Sequence, residues 1–187
     1  MPVLVAYASK HGATRGIAER IAVKLTDEDH PADARSVQEA SGLEGYDAFV
    51  IGSATYGFHW MDEALAFVKL NSAVLARHPL WLFSSGPLGN EAQDAKGQDL
   101  RTATVPKEIS ELQEVVQARG HRVFFGALDP DTLGFAERAL RKLPAARAGL
   151  PEGDFRDWAE IDAWAGDIAH ELAGLRQPET GWPGRSL

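Results

Sequence analysis

Apolar residues along this chain follow two rhythms. Unbroken apolar runs at residues 3–8 (Val3-Leu4-Val5-Ala6-Tyr7-Ala8), 48–52, 80–84 and 123–128 read as strands buried on both faces. Between them, apolar positions recur at helical spacing. After Thr14, the residues Ile17, Ala18, Ile21, Ala22 and Leu25 mark one helical face, and Arg15, Glu19, Arg20 and Lys24 the other. Residues 61–75 predict a second helix through Leu65, Val68, Leu70 and Leu75. Residues 106–119 predict a third, with Pro106 near its first turn and Gly120 just past its end. Residues 157–175 predict a fourth, carrying Ile161, Trp164, Ile168 and Leu172. Residues 32–37 are a weaker, edge-strand signal.

Strands alternating with helices imply a parallel sheet covered on both faces. The predicted fold class is therefore α/β, a doubly wound three-layer α/β/α sandwich with a five-stranded parallel sheet of order 2-1-3-4-5. The chain of 187 residues suits one such domain, placed at residues 1–176, with an irregular tail at 177–187 containing Pro178, Gly181, Pro183 and Gly184. A formal net charge of -8 argues against general affinity for nucleic acid, which depends on cations that neutralise phosphates. The absence of cysteine excludes disulfides, thiolate metal sites and cysteine nucleophiles. The histidines His30, His78, His121 and His170 have no metal-ligand spacing, so no metal is expected. No apolar segment approaches about 18 residues, and a cytoplasmic location is the expectation.

In an open parallel sheet, ligands sit beyond the carboxyl ends of the strands, near the reversal of strand order. Three loops occupy such positions. The first, Ser9-Lys10-His11-Gly12-Ala13-Thr14, joins the first strand to the first helix. Hydroxyls and helix-start amides there suit an anion, with the Ser9 and Thr14 hydroxyls and the amides of residues 10–14 as donors. Alternatively, Ser9 or Thr14 merely caps the helix. The second loop, Ser53-Ala54-Thr55-Tyr56-Gly57-Phe58-His59-Trp60, combines hydroxyl, aromatic and glycine residues. Tyr56 is its stacking candidate, while His59 and Trp60 face either a ligand or the body of the protein. The third loop is Ser84-Ser85-Gly86-Pro87-Leu88-Gly89. A phosphate grip beside two aromatic or glycine-rich loops suits a flat, polar-edged ring on a phosphate tether. Ser84 and Ser85 lie in no G-x-S-x-G elbow, which argues against a hydrolase.

The pairing of residues 9–14 with Gly52-Ser53-Ala54-Thr55-Tyr56-Gly57 resembles the flavodoxin superfamily, over about residues 3–175. That resemblance implies bound flavin mononucleotide (FMN). Ser9, Lys10, His11, Gly12, Ala13 and Thr14 would hold the phosphate. Ser53, Ala54, Thr55, Tyr56 and Gly57 would line one side of the isoalloxazine, and Ser85, Gly86, Pro87, Leu88 and Gly89 the other. A flexible backbone at Gly57 could turn a carbonyl toward N5 of the reduced flavin, or the glycine only makes the turn.

Tyr46-Asp47, Ala64 to Lys69, Phe125-Gly126-Ala127-Leu128 and Asp157-Trp158 resemble, more narrowly, the flavodoxin-domain proteins related to menaquinone-dependent protoporphyrinogen dehydrogenase. This likeness implies an oxidoreductase in which the flavin passes electrons from a porphyrinogen to a quinone. It also implies a segment at residues 133–147, with Arg138, Arg141, Lys142 and Arg147, that touches a membrane surface or covers the flavin, or is simply a solvated helix. Two other functions compete. One is an electron carrier that presents Asp62, Glu63, Glu91 and Asp94 to a basic protein reductase; the other is a binding or regulatory module without flavin. A homodimer is also compatible with a flavoprotein of this size.

Overall fold

β3 (Ala48–Tyr56) is the central strand of a parallel sheet in this computed structural model, which describes residues 1–89, 91–93, 96–134, 139 and 151–176. On one side it pairs with β1 (Val3–Ala8), which pairs in turn with β2 (Ala32–Ser36). On the other it pairs with β5 (Leu80–Ser85), which pairs with β6 (Gly120–Phe124). The order β2-β1-β3-β5-β6 is the expected 2-1-3-4-5 once the short strand β4 (His59–Trp60) is set aside. β4 folds back antiparallel on the end of β3, with Thr55 opposite Trp60 and Tyr56 opposite His59.

Alternation along each strand sends side chains to two layers. Val3, Val5, Val50, Phe83 and Phe124 face α1 (Ala13–Asp27) and the C-terminal helix, meeting Ile17, Ile21, Leu25, Ile161, Trp164, Ile168 and Leu172. Leu4, Phe49, Ile51, Leu80 and Leu82 face α2 (Asp62–Leu75) and α4 (Ile109–Val116), meeting Phe67, Val68, Leu75, Leu112 and Val116. The three-layer sandwich is thus present, and each fully buried aliphatic side chain contributes about 1.5–3 kcal/mol to it. α3 (Leu100–Ala103) is a single turn, and α5 (Trp158–Arg176) is the C-terminal helix.

Several boundaries differ from the pattern-based ones. The third predicted helix starts at Ile109 rather than Pro106, and ends at Val116, where Gln117 turns left-handed at φ 51°. Gly120 therefore opens β6 instead of closing the helix. The predicted strand at 123–128 divides, because β6 ends at Phe124 and β7 (Ala127–Leu128) pairs antiparallel with β8 (Gly153–Asp154). Most of the amphipathic segment at 133–147, along with Asp94 and the tail at 177–187, lies outside the described residues. No helix among the described residues is long and apolar enough to cross a membrane.

Candidate functional site

Two strand-to-helix corners bring the first two loops together. At the β1–α1 corner, Gly12 is the N-cap at φ 86° and offers no side chain, so neither Ser9 nor Thr14 caps the helix. Ser9 Oγ instead accepts the Gly12 N–H at 3.1 Å, which commits one amide expected to face an anion. Thr14 is 1% exposed, and its hydroxyl has no hydrogen-bond partner among the described residues. A buried hydroxyl without a partner costs about 1–3 kcal/mol, which makes Thr14 a candidate to meet a bound group. Around it, the first-turn amides of α1 carry the helix's partial positive charge.

The β3–α2 corner uses its hydroxyl differently. Ser53 is fully buried; it donates to the Ala54 carbonyl at 2.8 Å and accepts the Met61 N–H at 3.0 Å, closing the entry into α2. Just before it, Gly52 leaves room for Phe83: a Cβ there would lie 2.1 Å from the ring. Beyond Ser53, β3 reaches Tyr56 and turns through Gly57 (φ 57°) and Phe58 (φ 65°) into β4. Two consecutive left-handed residues make the tight hairpin, and glycine meets that requirement without a Cβ penalty.

Together these corners, the end of β5 and the chain that follows β6 enclose a cleft of about 370 Å³. It is lined by Ser9, His11, Ala13, Thr14, Ala54, Thr55, Tyr56, Gly57, Ser85, Gly86 and Leu88, all among the residues expected from sequence, by Gly126, Ala127 and Leu128, which were not, and by Leu133, the first residue of the segment for which a cover over the flavin was one alternative. Thr55 Oγ1 is a second buried hydroxyl without a partner among the described residues. Tyr56 is 47% exposed at the rim, with the Lys10 ammonium 5.9 Å from its ring centroid. His11 reaches across the mouth, its Nδ1 3.2 Å from the Thr132 carbonyl.

Lys10, Gly12, Ser53, Pro87 and Gly89 are not among the lining residues. Pro87 instead accepts the Gly126 N–H at 2.9 Å, joining the third loop to the fourth wall. That wall carries no polar motif, and the one signal for it is its position beyond the last core strand. His59 and Trp60 belong to the body of the protein. His59 pairs with Glu108, and the buried Trp60 donates to Ser84 Oγ at 2.7 Å. Burial pushes the Glu108 carboxyl up, but hydrogen bonds from His59 and backbone N–H groups outweigh it and hold the group below its ordinary value.

The cleft's chemistry is accordingly that of a binding site. Its titratable lining side chains, among the described residues, are His11 and Tyr56, and no carboxylate faces it. No group of three or more His, Asp or Glu among the described residues could hold a metal ion.

The chain is 26% identical over 179 positions to protoporphyrinogen IX dehydrogenase [quinone] of Escherichia coli K12, covering 91% of this chain and 96% of that one. Its fold is similar to a flavodoxin from the domain Archaea, with TM-score 0.55 and 16% identity over 92% of this chain and 99% of that one. It is also similar to oxidised flavodoxin 1 from Bacillus cereus, with TM-score 0.58 and 14% identity over 92% of this chain and 99% of that one. Residues 4–149 match the model of the flavodoxin domain, so the chain belongs to the flavodoxin-domain family, whose cofactor is flavin mononucleotide.

Proposed function

We propose that the cleft holds FMN and that the protein is an oxidoreductase passing electrons from a protoporphyrinogen-like donor to a quinone. The observation that carries the cofactor assignment is the unpartnered Thr14 hydroxyl at the start of α1. A phosphate oxygen would accept from it and from the first-turn amides. Ser9, Lys10, His11, Gly12 and Ala13 complete the loop around that position. Gly12 serves through its turn, and Ser9 Oγ, whose lone pair takes the Gly12 N–H, keeps its own O–H to donate.

The ring would lie between Ala54, Thr55, Tyr56 and Gly57 on one side and Ser85, Gly86 and Leu88 on the other, with Ser53, Pro87 and Gly89 shaping those walls from behind. The chemistry such a cofactor supplies is reversible uptake of electrons from an organic donor and their release to an acceptor. This chain's residues bind and orient it: Thr55 offers a hydroxyl, Tyr56 an aromatic face, and Leu88, Leu128 and Leu133 exclude water. The donor and acceptor are supported by the similarity to protoporphyrinogen IX dehydrogenase [quinone], which spans nearly both chains.

An absorption spectrum and a fluorescence-quenching titration with FMN test the cofactor. Saturable quenching is expected, and its absence overturns the assignment. Turnover of protoporphyrinogen with a quinone then separates the dehydrogenase from an electron carrier, which would exchange electrons with a reductase and show no such turnover.

A further inference from the structure

Below the cleft floor, three side chains that touch none of its lining space are joined in a row. Trp60 Nε1–H donates to Ser84 Oγ at 2.7 Å, and Ser84 Oγ lies 2.8 Å from His121 Nε2. Trp60 and Ser84 are 2% and 0% exposed. The Ser84 oxygen accepts from Trp60 and shares a second hydrogen bond with the imidazole. Burial lowers the His121 pKa to about 4, so the ring is neutral throughout the neutral range and, according to its tautomer, accepts the Ser84 O–H or donates to the oxygen's second lone pair.

We infer that Trp60, Ser84 and His121 are positioning residues that set the separation between the Tyr56 hairpin and the Ser85–Gly86 loop, and thereby how well the cleft grips a flat ring. This rests on the reading of the cleft as a flavin site. The three residues belong to β4, β5 and β6; Tyr56 and Gly57 before β4 and Ser85 and Gly86 after Ser84 form two of the cleft's walls, and the chain that follows β6 contributes Gly126, Ala127 and Leu128 to another. The β3–β5 ladder stops at Ala54 opposite Ser85. Above that level Thr55 and Tyr56 continue into the antiparallel hairpin, which is attached to β5 through no ladder of its own. Trp60, opposite Thr55 in that hairpin, supplies the missing cross-brace by bonding to Ser84. His121 holds the Ser84 oxygen from the other side with a second hydrogen bond. Removing either end takes one of the two hydrogen bonds from the buried Ser84 hydroxyl and loosens the hairpin's tie to β5, while its ties through His59 to Glu108 and through the Phe58 carbonyl to the Lys107 N–H remain.

The test uses the full chain with riboflavin and FMN titrated separately, comparing wild type with Trp60→Phe, His121→Leu and His121→Gln. Riboflavin reports the ring slot alone, and the ratio of the two affinities reports the phosphate grip. Trp60→Phe and His121→Leu should weaken riboflavin at least about fivefold, leave the FMN-to-riboflavin ratio within about twofold, and alter the visible circular dichroism of bound flavin. His121→Gln, whose amide oxygen can accept the Ser84 O–H, should restore both. A purely structural role would lower thermal stability without changing the riboflavin affinity or the visible spectrum of the folded variants, and that result overturns the inference. Wild-type protein that binds neither flavin overturns the cofactor reading and this one with it.

Discussion

Two corners of the fold present the same ingredients and dispose of them in opposite ways. At β1–α1 and at β3–α2, a strand ends, a small residue permits the turn, and a buried hydroxyl sits beside the entry to a helix. Ser53 commits both hydrogen-bonding capacities inside the protein, to Ala54 and Met61. Thr14 commits none among the described residues. The difference separates a hydroxyl that the fold has used from one that the proposed function gives to the phosphate, and residue type alone does not reveal which is which.

Substitutions can break that contrast. The largest effect is expected at Gly52→Ala, where the new Cβ would overlap the Phe83 ring in a closed core. Denaturant unfolding should show a loss of about 3 kcal/mol or more. Next is the satisfied hydroxyl of Ser84. The folded protein holds His121 neutral down to about pH 4, against 6.5 ordinarily, so the unfolded chain binds more protons between those values. Stability is then full above about pH 6.5 and falls on acidification toward 4, by about 3 kcal/mol from this group. His121→Gln should flatten that part of the pH profile, and an unchanged slope would refute the assignment.

Smaller effects sharpen the two hydroxyls themselves. Thr14→Val should weaken FMN binding about 10- to 100-fold, the worth of a hydrogen bond to a charged group, while leaving unfolding unchanged or slightly more costly. Ser53→Ala should do the reverse, losing about 1 kcal/mol of stability with FMN affinity within about twofold of wild type. Equal behaviour of the two variants in both assays would erase the distinction.

Much of this was legible in the sequence, for a physical reason. Strands buried on both faces must be apolar throughout, so β1, β3 and β5 announce themselves, and α1 shows its stripe from Ile17 to Leu25. The β3–β4 hairpin did not show, because its turn is Gly57-Phe58. A bulky residue at φ 65° is not the asparagine-glycine signature that marks such turns. β7 was hidden because its partner β8 lies about 25 residues away in sequence, and a two-residue strand has no periodicity to read. In the candidate site, the loops after the first, third and fourth core strands were chosen by their position beyond the strand ends and by residue chemistry, and residues of all three line the cleft. Gly126, Ala127 and Leu128 were not expected in the lining because they contribute shape, which small and apolar residues do not advertise.

The outer edge of the sheet has a consequence for life in a crowded solution. Among the described residues β2 has no strand beyond it, so its peptide groups could accept a strand from another molecule. The strand is five residues long and carries Asp33 and Arg35, with exposed side chains paired at 3.5 Å. Tyr46 adds a hydrogen bond to Asp33 at 2.8 Å. An incoming apolar strand would have to dehydrate those charges to dock. The sheet therefore terminates itself by chemistry as well as by length, a safeguard against edge-to-edge aggregation that leaves the binding cleft, at the carboxyl ends of the strands, untouched.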